Sequence, residues 1–171
     1  MEVWKAFEKN IISHSAAHHL MTIYYLLERN GYARVSDVAR SLEITRGSAS
    51  ITLKALKEKG LVREDENKFL RLSEEGQRIS HAIRSTRVLF KKFLVDILQV
   101  DSEQAEIDAC KIEHLLSHET GEKLLSFMQF LASEEQPVRD FLDAYRDYES
   151  TCCGMPDDCE VCETECLKPL E

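Results

Sequence analysis

Three side chains carrying metal-binding donors fall close together in the second half of the chain. Cys110, Glu113 and His114 are spaced i, i+3, i+4 in a stretch that reads as helical. A thiol, a carboxylate and an imidazole therefore converge within about one helical turn. These groups are the usual donors for first-row transition metals. Ile107 and Ser117 share the face, with Ala105, Ile112, Leu115 and Leu116 apolar beside and behind it. Taken alone, the pattern also describes a buried cysteine, a surface glutamate and a part-buried histidine on an ordinary helix. A second group of donors crowds the C-terminus: Cys152, Cys153, Cys159, Cys162 and Cys166. A dense thiolate set of this kind suits an iron–sulfur cluster or zinc. Redox disulfides and a disordered thiol tail are the other readings. The acids among these cysteines raise thiol pKa and weigh against the disulfide switch.

The elements that must position such a centre begin with residues 35–60, VSDVARSLEITRGSASITLKALKEKG. They read as two short helices joined by a tight turn at Leu42-Glu43-Ile44. Ser36 is the expected N-cap of the first helix and Thr45 of the second. Val38, Ala39 and Leu42 share one face of the first helix, and Ala49, Leu53 and Leu56 form the stripe of the second. The other face carries Arg46, Ser48, Ser50, Thr52 and Lys54, and Gly60 closes the helix. A helix with a small, polar, basic outer face is one that a DNA major groove admits. An ordinary helical hairpin with a solvated face is the plainer reading. Residues 61–64 and 68–72 then read as two short strands around the turn-prone Asp65-Glu66-Asn67, a wing. Ser73 caps a long helix reaching about Gln99. Further helices are expected from Asp101 to about Ser117, from His118 to Ala132, and from about Gln136 to Tyr148, with Pro137 in a first turn. Upstream, Ser13 to Arg29 reads as a helix. Residues 1–12, with Val3, Trp4, Phe7, Ile11 and Ile12, read as an amphipathic one. Beyond Glu149 the chain turns to cysteines, acids and turn residues, with nothing to bury and a need for a ligand to order it.

Charge separates along the chain. The 171 residues hold 22 Lys and Arg against 31 Asp and Glu, a net of −9. Residues 1–95 hold 17 against 11, a net of +6, and residues 96–171 hold 5 against 20, a net of −15. The basic half contains the expected DNA reader, and affinity for nucleic acid follows local charge. No apolar run approaches a membrane span, and the N-terminus lacks a basic-then-apolar signal, so a cytoplasmic protein is expected. In a reducing cytoplasm, clustered cysteines point to metal or redox sites. No nucleophile–base pair and no glycine-rich phosphate loop is seen, and an enzyme is not expected.

The order of elements resembles the diphtheria-toxin-repressor family of metal-dependent transcriptional regulators, including its manganese-transport-regulator branch. The likeness covers about residues 15–132. It is carried by Thr22-Ile23-Tyr24, by Gly31 to Ala39, by Leu53 to Val62, and by Ala109-Cys110-Lys111-Ile112-Glu113-His114-Leu115-Leu116-Ser117. The fold expected is mostly α, in three parts, the last of them outside the stretch that carries the likeness. A winged helix-turn-helix DNA-binding domain spans 1–76, a helical dimerisation and metal-binding domain spans 77–149, and a Cys-rich tail spans 150–171. The resemblance implies a homodimeric repressor, activated by metal, that binds a palindromic double-stranded DNA operator and controls metal uptake. Cys110, Glu113 and His114 match family ligands, His18 aligns with the N-terminal-helix ligand, and Met21 aligns with a second ligand of the manganese branch. The family's other site loses a His to Arg87 and a Glu to Lys91, and cations do not replace ligands. A thiolate with imidazoles suits Fe(II), Co(II), Ni(II) or Zn(II) better than Mn(II), and Fe(II) is the favoured ion. Thr45, Arg46, Gly47, Ser48, Ser50 and Thr52 would face the groove, with Arg63, Lys68 and Arg71 of the wing on phosphates. The competing reading is a regulator that senses redox state or an iron–sulfur cluster through the cysteine tail.

Overall fold

The computed structural model describes residues 12–133 and 135–148. The expected helix over residues 1–12 falls almost wholly outside them, and the cysteine tail entirely so. Helix α1 (His14–Asn30) is capped by Ser13, whose Oγ accepts from the Ala16 amide at 3.3 Å. It ends at Gly31 with φ +77°, a left-handed conformation that glycine adopts without penalty. Its inner face buries Ala17, Leu20 and Ile23 completely.

Helix α2 (Val35–Ser41) starts one residue before the expected cap, so Ser36 lies inside it. The reason is Asp37, whose carboxylate accepts from the Arg34 amide at 3.1 Å and makes Arg34 the boundary. Helix α3 (Arg46–Glu58) begins as expected: the Thr45 hydroxyl accepts from the Ser48 amide at 3.1 Å. Ala49, Leu53 and Leu56 are fully buried. Strands β1 (Val62–Glu64) and β2 (Leu70–Leu72) pair antiparallel, with Arg63 opposite Arg71. The second strand is shorter than expected because the turn extends through Lys68 at φ +65°. Asp65 Oδ1 holds that turn by accepting from the amides of Asn67 and Phe69, both at 2.9 Å. The Leu70 amide donates to Ala33 O at 2.8 Å and ties the wing to the loop before α2.

Helix α4 (Glu74–Lys92) is capped by Ser73 and approaches the wing so closely that a Cβ on Gly76 would lie 2.2 Å from Leu61 O. A single π-turn, Phe93–Ile97, follows where an unbroken helix was expected, and Gln99 ends it with φ +56°. Helix α5 (Ser102–Ile112) is capped by Asp101 and stops short of Ser117. Ser117 instead caps the next helix, its Oγ accepting from the Thr120 amide at 3.1 Å. Glu113 and His114 consequently sit on the turn after α5. Helices α6 (His118–Leu131) and α7 (Gln136–Arg146) complete the described chain, and Pro137 lies in the first turn of α7. By contacts the chain divides into two compact units, Met1–Met128 and Gln129–Glu171. The core of the first joins α1, α2, α3 and the wing around Leu20, Ile23, Val38, Leu53, Leu56 and Leu70. No helix among the described residues is long and apolar enough to cross a membrane.

Candidate metal centre and nucleic-acid interface

Three of the expected ligands meet where α1 packs near the end of α5. One donor atom from each of His18, Cys110 and Glu113 lies within 4.8 Å of the other two. His18 Nε2 stands 3.5 Å from Cys110 Sγ. Glu113 is only 4% exposed, an unusual place for a carboxylate without a charge partner. Its partner is Arg87 on α4, whose Nη1 lies 3.4 Å from Glu113 Oε2. Arg87 also donates from Nε to Glu106 at 3.0 Å, and Lys91 meets the same Glu106 at 2.7 Å. Both positions where the family resemblance lost ligands thus carry cations engaged in ion pairs.

His114 is reached indirectly. His14, one turn before His18 on α1, places Nε2 3.1 Å from His18 Nε2 and Nδ1 3.2 Å from His114 Nε2. Met21 is buried as part of the hydrophobic core. His14 did not emerge from the sequence, although its i, i+4 spacing to His18 is a signal for two imidazoles on one helical face.

The electrostatics of the pocket follow from its burial. Burial pushes the Cys110 thiol up, the Glu113 charge reinforces this, and Arg87 opposes it. Burial also raises the Glu113 carboxyl against the pull of Arg87. His18 is pushed down by burial and then by His14, Arg87 and His19. His114 is pushed down by burial, His14 and His18. Lowered imidazole pKa values keep ring lone pairs free at neutral pH, which is the ligating form. His114 Nδ1 is buried with no hydrogen-bond partner. Imidazole nitrogens, one thiol and one carboxylate around such a gap are a donor set for a borderline divalent transition metal.

The second candidate surface is α3 with the wing. Thr45, Arg46, Gly47, Ser48 and Ser50 are exposed, and Thr52 is half-buried. The Ser50 hydroxyl donates back to Arg46 O at 2.8 Å, leaving its lone pairs outward. Arg63 and Arg71 are exposed and directly opposite each other across the wing. Lys68 lies 3.5 Å from Glu64. A cleft of about 610 Å³ between α3 and the wing is lined by Arg34, Arg46, Ser50 and Lys68 among others. Ile51, absent from the sequence-based set, is 75% exposed on α3. Apolar contact of that kind suits a thymine methyl.

Residues 12–70 match the N-terminal DNA-binding domain of the iron-dependent repressors, and residues 73–137 match their metal-binding and dimerisation domain. The chain is 29% identical over 123 residues to the HTH-type transcriptional regulator MntR of Lysinibacillus sphaericus, covering 72% of this chain and 86% of that protein. It is 31% identical over 119 residues to an HTH-type transcriptional regulator of Methanocaldococcus jannaschii, covering 69% of this chain and 95% of that protein. Among solved structures, the manganese regulator SloR superposes with a TM-score of 0.61 at 23% identity, covering 67% of this chain. The chain spans 54% of the length of that structure.

Proposed function

The chain belongs to the iron-dependent repressor family of metal-dependent transcriptional regulators, and on that premise we propose that it is an Fe(II)-responsive, homodimeric, cytoplasmic repressor of metal-uptake genes acting at a palindromic operator. The observation that carries this reading is the meeting of His18, from the part that matches the DNA-binding domain, with Cys110 and Glu113 from the part that matches the metal-binding domain. A bound divalent cation supplies a positive charge shared by side chains of both parts. His18 on α1 and Cys110 and Glu113 beyond α4 are then held in one relative position. That coupling acts on DNA only as far as the held arrangement is the one that fits the duplex. Fe(II) is favoured over Mn(II) because the donors include a thiol and imidazoles.

In the dimer, two copies of α3 enter successive major grooves, with Thr45, Arg46, Gly47, Ser48, Ser50 and Thr52 at the duplex. Arg63, Lys68 and Arg71 meet phosphates. Exposed Val88, Leu115, Leu125 and Phe127 supply apolar surface for the second copy. The domains are taken as 1–76 and 77–149, followed by the cysteine tail.

Gel-shift titration of a palindromic promoter fragment under anaerobic conditions tests the proposal. Binding should tighten at least about tenfold, roughly 1.4 kcal/mol, when Fe(II) replaces chelator. Equal binding in both conditions would show that metal does not govern DNA recognition. Cys110→Ala should abolish the Fe(II) response, while Cys159→Ser with Cys162→Ser should leave it intact. The reverse pattern would move sensing to the tail.

A further inference from the structure

We propose that His14 is itself a ligand of the metal centre, so that the ion is held by a histidine pair on α1 together with Cys110 and Glu113. This rests on the metal-site reading above and extends its ligand set. His14 and His18 are four residues apart on α1, which puts both rings on one face a turn apart. Their rings meet edge-on with centroids 4.5 Å apart. Two pairs of donor atoms meet at His18: His14 Nε2 stands 3.1 Å from His18 Nε2, and His18 Nε2 stands 3.5 Å from Cys110 Sγ. Donors held about 2.1 Å (nitrogen) and 2.3 Å (sulfur) from one ion lie about 3 to 3.5 Å apart when they subtend right to tetrahedral angles. The two separations that run through His18 fall in that interval.

Hydrogen bonding alone serves this arrangement poorly. A neutral imidazole offers one donor and one acceptor. His18 Nε2 is approached by both His14 Nε2 and Cys110 Sγ, while the other nitrogen of His14 meets His114 Nε2. At the end of this run, His114 Nδ1 is buried without a partner. A row of ring nitrogens facing one another, with an orphan nitrogen at its end, is a lone-pair-rich surface that a cation completes.

The consequence is selectivity. Adding an imidazole to a thiolate and a carboxylate moves the set further from the all-oxygen coordination that suits Mn(II) and toward Fe(II), Co(II) and Zn(II). His14 is the first residue of α1 and is exposed, so replacing it removes no core contact.

The test uses the full chain with its five tail cysteines changed to serine, which leaves Cys110 as the single thiol, and Co(II) as the probe. X-ray absorption counts the imidazoles bound, and competition titration gives Co(II) and Mn(II) affinities. In His14→Ala, one imidazole should disappear from the scattering. Co(II) affinity should fall by more than the roughly 10- to 100-fold that losing an outer-sphere partner costs, and Mn(II) affinity should fall less. His14→Asn keeps a hydrogen-bonding group but not the ring, and should not restore either quantity. Unchanged imidazole count in His14→Ala, or full rescue by His14→Asn, would overturn the assignment while leaving the centre itself standing. Absence of a thiolate-to-cobalt charge-transfer band in the parent chain would overturn the centre and this ligand together.

Discussion

Glu113 answers to two cations: the guanidinium of Arg87 at 3.4 Å and any ion held with His18 and Cys110. A divalent ion and a guanidinium about 6 Å apart repel by roughly 2.8 to 5.5 kcal/mol at an effective dielectric of about 20 to 40, much of it offset by the Cys110 thiolate. Arg87→Met should therefore tighten Co(II) binding by about tenfold. It should also lower the melting temperature of the metal-free protein, because a buried carboxylate loses its partner. Calorimetric titration and a thermal melt read the two effects separately. Cys110 adds a pH dependence with a definite sign. Its thiol sits above the ordinary value, so near neutral pH it is protonated and must lose that proton on ligation. His18 and His114 sit below the ordinary histidine value and release none there. Co(II) affinity should rise about tenfold per pH unit between pH 7 and 8 and fall as the pH drops. A flat profile would mean that Cys110 stays outside the coordination sphere. At this scale the sequence was legible wherever a residue type has few alternatives. The spacing of Cys110, Glu113 and His114 singled out the region where His18, Cys110 and Glu113 meet, whereas His14 had only its i, i+4 spacing to His18 to mark it.

Helix α3 joins stability to recognition. Thr45 caps it and Leu53 anchors it, while Arg46 and Ser50 face outward. Thr45→Ala should cost about 1 kcal/mol, and Leu53→Ala about 2 to 5 kcal/mol because the side chain is fully buried. Urea unfolding measures both. DNA affinity should suffer in each beyond what instability alone explains only if the helix N-terminus touches the duplex. The elements of this reader were readable because cap, stripe and closing glycine agree with one another. Elsewhere the signals conflict. Ser117 suits a helix face and a helix cap equally, and the cap prevails, shortening α5 and placing Glu113 and His114 on a turn. Ser36 loses its expected role because Asp37 accepts from the Arg34 amide. The π-turn at Phe93–Ile97 has no compositional mark that separates it from α-helix.

For the molecule as a whole, the division of charge matters more than its sum. The net of +6 in residues 1–95 sits with the reader, and the net of −15 in residues 96–171 follows it. DNA affinity should fall steeply with salt. Arg63→Ala and Arg71→Ala should each lower the slope of log K against log salt by about 1. An unchanged slope would remove the wing from the phosphate backbone.

Gly76 gives this larger scale its mechanics. Because it has no side chain, the first turn of α4 is seated directly against Leu61 at the root of the wing. Arg87, near the other end of the same 19-residue rod, pairs with the Glu113 carboxylate. At 1.5 Å per residue the rod is about 28 Å long, so a tilt of about 5° displaces one tip by about 2.5 Å relative to the other. Seated on the wing at one end and paired with Glu113 at the other, α4 is one rigid element in contact with both.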